Sequence, residues 1–247
     1  MITVGVDLAA QARRTALAAL RWEDGVAQVE QVHVDVADSE IVKAVVGADA
    51  AGIDCPLGWP EAFVDMVNAH REGSVPLPAG SASWRQGLRY RRTDLAVQEA
   101  TGLWPLSVST DRIGVAAMRA AALLARLDAA GSHVERAGGG PVVEVYPAAA
   151  LRLWGLPATK YKRAPNQAGL DALVTLLARA APWLSLGEHE ALCRQSDDAF
   201  DAVVASLVAR ASALGLGSSP SPDAHDTATR EGWIVLPQGP LSALSGE

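Results

Sequence analysis

Only two of the 247 residues are cysteine, Cys55 and Cys193, far apart and without a C-x-x-C partner. That excludes a disulfide scaffold and a thiolate zinc site, and it fits a reducing compartment. Apolar residues make up 49% of the chain, yet no run approaches the ~20 consecutive apolar residues of a membrane helix. Positive charge is also short, with 21 Lys and Arg against 28 Asp and Glu and a net charge of −7. A generic coat for phosphate backbones is excluded, because such binding is driven by Lys and Arg; a local basic groove is not. The histidines, His33, His70, His133, His189 and His225, show no metal spacing, and neither a G-x-S-x-G turn nor a P-loop occurs, which disfavours a Ser or Cys hydrolase. The seven tryptophans read as core or interface anchors. The opening "MITVGVDLAA" lacks the positive flank and small-residue cleavage pattern of a signal peptide, so the expected location is the cytoplasm.

What is present reads as an α/β chain of one domain with an insertion. In "ITVGVDL", Ile2, Val4, Val6 and Leu8 alternate with Thr3, Gly5 and Asp7, the period of a strand with one face in a core, so Asp7 faces away from the aliphatic set. Asp24-Gly25 between two β-like runs predicts a hairpin. The alternation slips between Val29 and Val32, which predicts a bulge or strand end near Glu30. A short helix started by Asp38 and Ser39 covers 38–48, and "AAGIDC" then reads as a buried strand that stops on Asp54. Residues 60–140 read as a helical insertion with a basic loop, since residues 73–93 hold Arg85, Arg89, Arg91 and Arg92 and no acid. "VVEVYP" is a further strand, with Val142, Glu144 and Tyr146 on one face; helices follow over 166–180 and 188–195, then "SDDAFDAVVASLVARA", and "GWIVLP" is a terminal strand.

The acids carry the chemistry. Phe200, Val203, Val204, Leu207, Val208 and Ala211 recur at helical spacing, so the last helix is expected to pack one face on the core; Ser196 is placed to cap it, and Asp197 and Asp198 suit its positive end. Asp201 lies beyond the capping positions and shares a face with both, a repulsive arrangement that a cation would relieve. If the strands of Asp7 and Asp54 are parallel neighbours, their carboxyl ends lie on one sheet edge, where open α/β sheets place ligands. Several acidic oxygens there suit Mg²⁺ or Mn²⁺. Two such ions about 4 Å apart can activate water and stabilise the leaving oxygen of a phosphodiester.

The order of these elements resembles the RNase H-like fold, and "DDAFDAVVASLVA" resembles the D-x-x-D-A helix of RuvC-type resolvases. More closely, "GVDLA", "GIDCPLGWP", "RRTD", "EVYPAA", "YK", "DDAFDAVVAS" and "EGWIVLP" are similar, in order and over nearly the whole chain, to the domain of unknown function 429 family of predicted RNase H-fold nucleases. The resemblance implies an RNase H-like mixed sheet flanked by helices, with the helical insertion at about 60–140. It implies Asp7 as the first-strand ligand, Asp54 as the strand-end carboxylate, and Asp198 or Asp201 as the helix acid. Glu144 matches the family's E-x-Y-P stretch. Arg92, Asp94 and Lys162 match further motifs, and the cations, with Arg85, Arg89 and Arg91, are expected to contact phosphate. The expected function is a divalent-metal-dependent nuclease or phosphodiesterase acting on nucleic acid or another phosphodiester, with Mg²⁺ or Mn²⁺ on Asp7, Asp54 and Asp201. Two rivals stand beside it. An actin-like ATP-binding phosphotransferase needs a Gly-rich turn after the first acid, whereas Leu8, Ala9 and Ala10 follow Asp7. A non-catalytic binding protein on the same fold suits the acidic net charge.

Overall fold

The computed structural model describes residues 1–75 and 81–246. The opening alternation becomes β1 (Ile2–Asp7), followed by β2 (Ala16–Glu23) and β3 (Val26–Val34). Asp24 and Gly25 join β2 to β3 with φ of 48° and 76°. Both angles are positive, as a tight two-residue hairpin of this hand requires. Ala19 pairs with Gln31 and Leu20 with Val29, so Glu30 is the extra residue of a bulge, where the alternation had slipped. After α1 (Asp38–Val46), β4 (Ala50–Asp54) returns parallel to β1. The insertion region holds α2 (Glu61–Arg71), α3 (Ala82–Arg89), α4 (Arg92–Thr101) and α5 (Ile113–Ala129). Then follow β5 (Val142–Glu144), α6 (Pro147–Leu153), α7 (Gln167–Ala180), β6 (Leu184–Ser185), α8 (Glu190–Gln195), α9 (Asp197–Ala213) and α10 (His225–Glu231). Among the described residues no helix is long and apolar enough to cross a membrane.

The six strands form one mixed sheet in the order β5-β4-β1-β2-β3-β6, antiparallel through β1, β2 and β3 and parallel elsewhere. Helices cover both faces. Val4, Val6, Ala51 and Ile53 pack with Ile41 and Val45 of α1 and with Leu123 and Leu127 of α5. The opposite face, with Ala18, Leu20 and Val143, packs against Leu173 and Leu177 of α7 and Phe200, Val203 and Leu207 of α9. The two faces follow from the period-two alternation of β1 and β4. α5 therefore belongs to a layer on the sheet, although it lies within the 60–140 stretch.

Three expectations change. In the acid-free stretch 73–93, residues 82–89 and 92–93 are helical, and Ser81 caps α3, its Oγ accepting the Trp84 N–H at 3.1 Å; residues 76–80 of that stretch lie outside the described residues. "GWIVLP" does not form a ladder strand. It makes single bridges, Ile234 to Glu144 and Pro237 to Gly217, because β5 is three residues long and presents little edge to pair with. α9 does not bury one face only; Ala199 to Ala209 are all buried, since α6, α8 and the sheet enclose it.

Candidate active site

Two glycines bring the acids together. A Cβ on Gly5 would stand 1.9 Å from the Ala202 carbonyl oxygen, and one on Gly52 would stand 2.5 Å from that of Ala205. Both lie far inside van der Waals contact, so only glycine lets α9 lie this close to the sheet. One step back, the Thr3 and Ser206 hydroxyls meet at 2.7 Å, which shows that α9 runs antiparallel to β1. Two strand residues span ~6.6 Å and one helical turn spans ~5.4 Å, so the two rows stay in step. Moving one turn towards the start of α9 from Ala202 reaches Asp198, at the end of the sheet where β1 stops on Asp7. The same move from Ala205 reaches Asp201, opposite Asp54. Asp7 and Asp54 are themselves register partners in parallel strands, so their side chains leave the same face side by side.

The four carboxylates are not equally compensated. Arg14 holds Asp198 with two hydrogen bonds, Nε to Oδ2 at 2.9 Å and Nη2 to Oδ1 at 3.0 Å. Asp201 is buried, accepts the Tyr161 hydroxyl at Oδ1 at 2.9 Å, and has the Lys162 ammonium 2.5 Å from Oδ2. That second contact is an ion pair. Asp197 accepts the Arg163 backbone N–H at 3.1 Å. Asp7 and Asp54 have neither a side-chain hydrogen bond nor an ion pair among the described residues. Burial first, then the neighbouring Asp54 and Asp201, pushes the Asp7 carboxyl well above its ordinary range, against the pull of Lys162. Burial likewise raises Asp54 to about 7, Lys162 opposing and Asp201 and Glu144 adding to the rise. These are the two acids whose charged form the fold stabilises least.

The loop after α6 delivers the cation. Lys160 and Arg163 take φ of 61° and 70°, a left-handed geometry that costs such residues about 1 kcal/mol or more. Between them Tyr161 is buried edge-on against Phe200, ring centres 6.1 Å apart, and anchors the loop so that Lys162 reaches Asp201. Burial opposes the Lys162 charge, but Asp201, Tyr161, Asp54 and Asp7 together hold its pKa well above the usual lysine value. Its side chain remains 44% exposed, so the ammonium bridges the acids and the solvent. A cavity of about 430 Å³ opens over this group, lined by Asp7, Asp54, Tyr146, Tyr161 and Lys162 on one side and by Pro105, Leu106 and Ile113 on another.

Glu144 and the arginines are placed differently. Arg91 is buried, and its guanidinium takes Glu144 at 2.7 and 2.9 Å, Asp94 at 2.9 and 3.3 Å, and the Glu231 carbonyl at 3.2 Å. Glu144 also accepts the Leu57 N–H at 2.9 Å. This cluster ties β5, α4 and the turn after Asp54 into one unit, and leaves Arg91 no donor for a phosphate. The expectation that Arg91 holds substrate is therefore withdrawn. Arg89 lies on Tyr90, Arg92 stands 3.7 Å from Asp223, and Arg85 lies on exposed α3. None of these three lines the cavity; Lys162 does.

The matched family is one described as a protein of unknown function, DUF429, and its model covers residues 5–225. The chain belongs to the DUF429 family. No curated protein and no solved structure matches it. In this DUF429 chain the structure brings together Asp7, Asp54 and Asp201, the aspartates singled out from the sequence; what Gly5, Gly52, Tyr146 and Tyr161 contribute was not read there. The repeated G-x-D of "GVD" and "GID" was the available signal: a glycine where a helix must approach, followed two residues later, on the same strand face, by an acid.

Proposed function

We propose that this DUF429 chain hydrolyses phosphodiesters in nucleic acid, with Asp7 and Asp54 at the centre of the reaction and Mg²⁺ or Mn²⁺ as cofactor. The reading is carried by one observation: two in-register carboxylates facing one cavity, both raised in pKa and neither held by any partner among the described residues. The donor set fits a hard divalent cation, since two adjacent uncompensated carboxylates offer oxygen ligands whose mutual repulsion such an ion relieves. Asp7 and Asp54 would hold it. Among the described residues no three acids, cysteines or histidines stand ready as a complete ligand set, because Asp201 is engaged by Tyr161 and Lys162. When bound, the cation supplies charge stabilisation and an acidified water.

The remaining work falls to the chain's own groups. Lys162 brings a positive charge to the cavity, suited to a phosphate oxygen. Tyr146 has its pKa raised by burial and then by Asp54, so it stays a neutral hydroxyl able to donate a hydrogen bond. Cys55 also lines the cavity, and burial followed by Glu144 and Asp54 keeps its thiol protonated, which disfavours it as a nucleophile. An antiparallel β1-β2-β3 meander continued by parallel β4 and β5 supports the RNase H-like reading of the fold.

The test is cleavage of single-stranded, duplex and branched DNA and RNA with Mg²⁺, with Mn²⁺ and with EDTA. Metal-dependent cleavage is expected, and Asp7→Asn should lower it by at least ~100-fold while the protein melts no lower than wild type. Undiminished cleavage by Asp7→Asn, or no cleavage of any substrate with either metal, would refute the reading.

A further inference from the structure

Just outside the cavity wall lies an aromatic pair that the core does not use. Trp104 is 45% exposed and packs on Tyr90 with ring centres 4.6 Å apart and planes tilted by 40°. The Arg89 guanidinium lies 5.0 Å from the centre of the Tyr90 ring, and its Nη2 donates to the Tyr90 hydroxyl at 3.2 Å. Ser107 pins this arrangement, its Oγ donating to the Arg89 carbonyl at 2.7 Å. The residues next to Trp104 in the chain, Pro105 and Leu106, line the cavity that holds Asp7 and Asp54. Leu106 is 58% exposed. An indole backed by a second ring and an arginine therefore sits one residue from the wall of the acid site.

We infer that Trp104, supported by Tyr90 and Arg89, is a stacking platform for one base of a single-stranded nucleic acid whose backbone enters the cavity beside Asp7 and Asp54. The identification of the strand's destination rests on the proposed hydrolysis; the platform itself does not. A base offers a flat apolar face of the kind an exposed indole binds, and every base has one, so recognition tolerates sequence. Arg89 brings the positive charge that the neighbouring phosphate requires, in α3, a helix with no acid. A cavity of about 430 Å³ is the size of a small-molecule site. That is the scale of one unstacked nucleotide.

The experiment measures anisotropy of labelled oligonucleotides binding to the full chain in EDTA, so that no strand is cut. The set is a single strand, the same strand carrying abasic sites, and its duplex. Wild type is expected to bind the single strand more tightly than the duplex, Trp104→Ala to weaken single-strand binding by ~5- to 100-fold, and Trp104→Phe to restore most of it. The abasic strand should bind wild type as weakly as the intact strand binds Trp104→Ala. Equal affinity of wild type and Trp104→Ala, preference for the duplex, or no measurable binding would overturn the platform. Cleavage assays of Asp7→Asn separate the two ideas. If that variant loses cleavage while Trp104→Ala binds normally, the platform fails and hydrolysis stands. If Trp104→Ala loses binding while Asp7→Asn cleaves like wild type, the reverse holds.

Discussion

Replacing Asp54 with Asn should make the metal-free protein more stable, and more so as pH rises. The Asp54 carboxyl has an ordinary value of 3.8 and is held at about 7 in the fold by burial, against the attraction of Lys162 and with the repulsion of Asp201 and Glu144. A folded-state pKa above the unfolded one means that the native protein binds the extra proton. Its contribution to stability is complete below pH 3.8 and is lost as pH rises through about 7. The gap, at about 1.4 kcal/mol per pH unit, sets an upper bound of about 4 kcal/mol on that loss. Water in the cavity screens the charge, and Asn gives up the attraction to Lys162, so about 1–3 kcal/mol is the expected gain at pH 8. For a chain of this size that is roughly 3–10 °C in melting temperature. The assay is thermal melting of both proteins in EDTA from about pH 4.5 to about pH 8. The curves should nearly meet at the acid end and separate towards pH 8, and added Mg²⁺ or Mn²⁺ should raise wild type more than the variant. A variant no more stable at pH 8, or a difference that does not change with pH, would show that the carboxylate charge carries no such penalty.

Two further substitutions test how the site is built. Gly5→Ala places a methyl 1.9 Å from the Ala202 carbonyl oxygen and should cost about 3 kcal/mol or more in urea unfolding, because α9 must lift off the sheet; stability within experimental error of wild type would contradict the close approach. Arg91→Lys keeps the charge but not the two-pronged contact with Glu144 and Asp94, and should destabilise by about 2–4 kcal/mol because buried carboxylates lose donors. A neutral result in chemical denaturation would mean that the cluster does not tie β5 to α4.

The sheet was legible from local pattern. Strands with one buried face carry a period-two signal, the Asp24-Gly25 turn states its own geometry, and even the bulge at Glu30 appeared as a slip in alternation. The ends of β1 on Asp7 and of β4 on Asp54 were equally visible, as was the Ser196 cap, whose Oγ accepts the Ala199 N–H at 3.2 Å. Local pattern could not say what the charges meet. Arg91, in a stretch without acids, is neutralised by Glu144, which is 53 residues away in the chain, and so belongs to the frame rather than to a substrate surface. Lys162 and Asp201 form a pair only because the buried Tyr161 anchors a loop in an unfavourable backbone geometry. Strand periodicity depends on residues two apart, so one sequence suffices to turn Asp7 away from the aliphatic face, whereas Asp54 stands beside it through the parallel pairing of β1 with β4. Which acids remain uncompensated depends on contacts between residues far apart in the chain, and those were decided only when α9 closed onto Gly5 and Gly52.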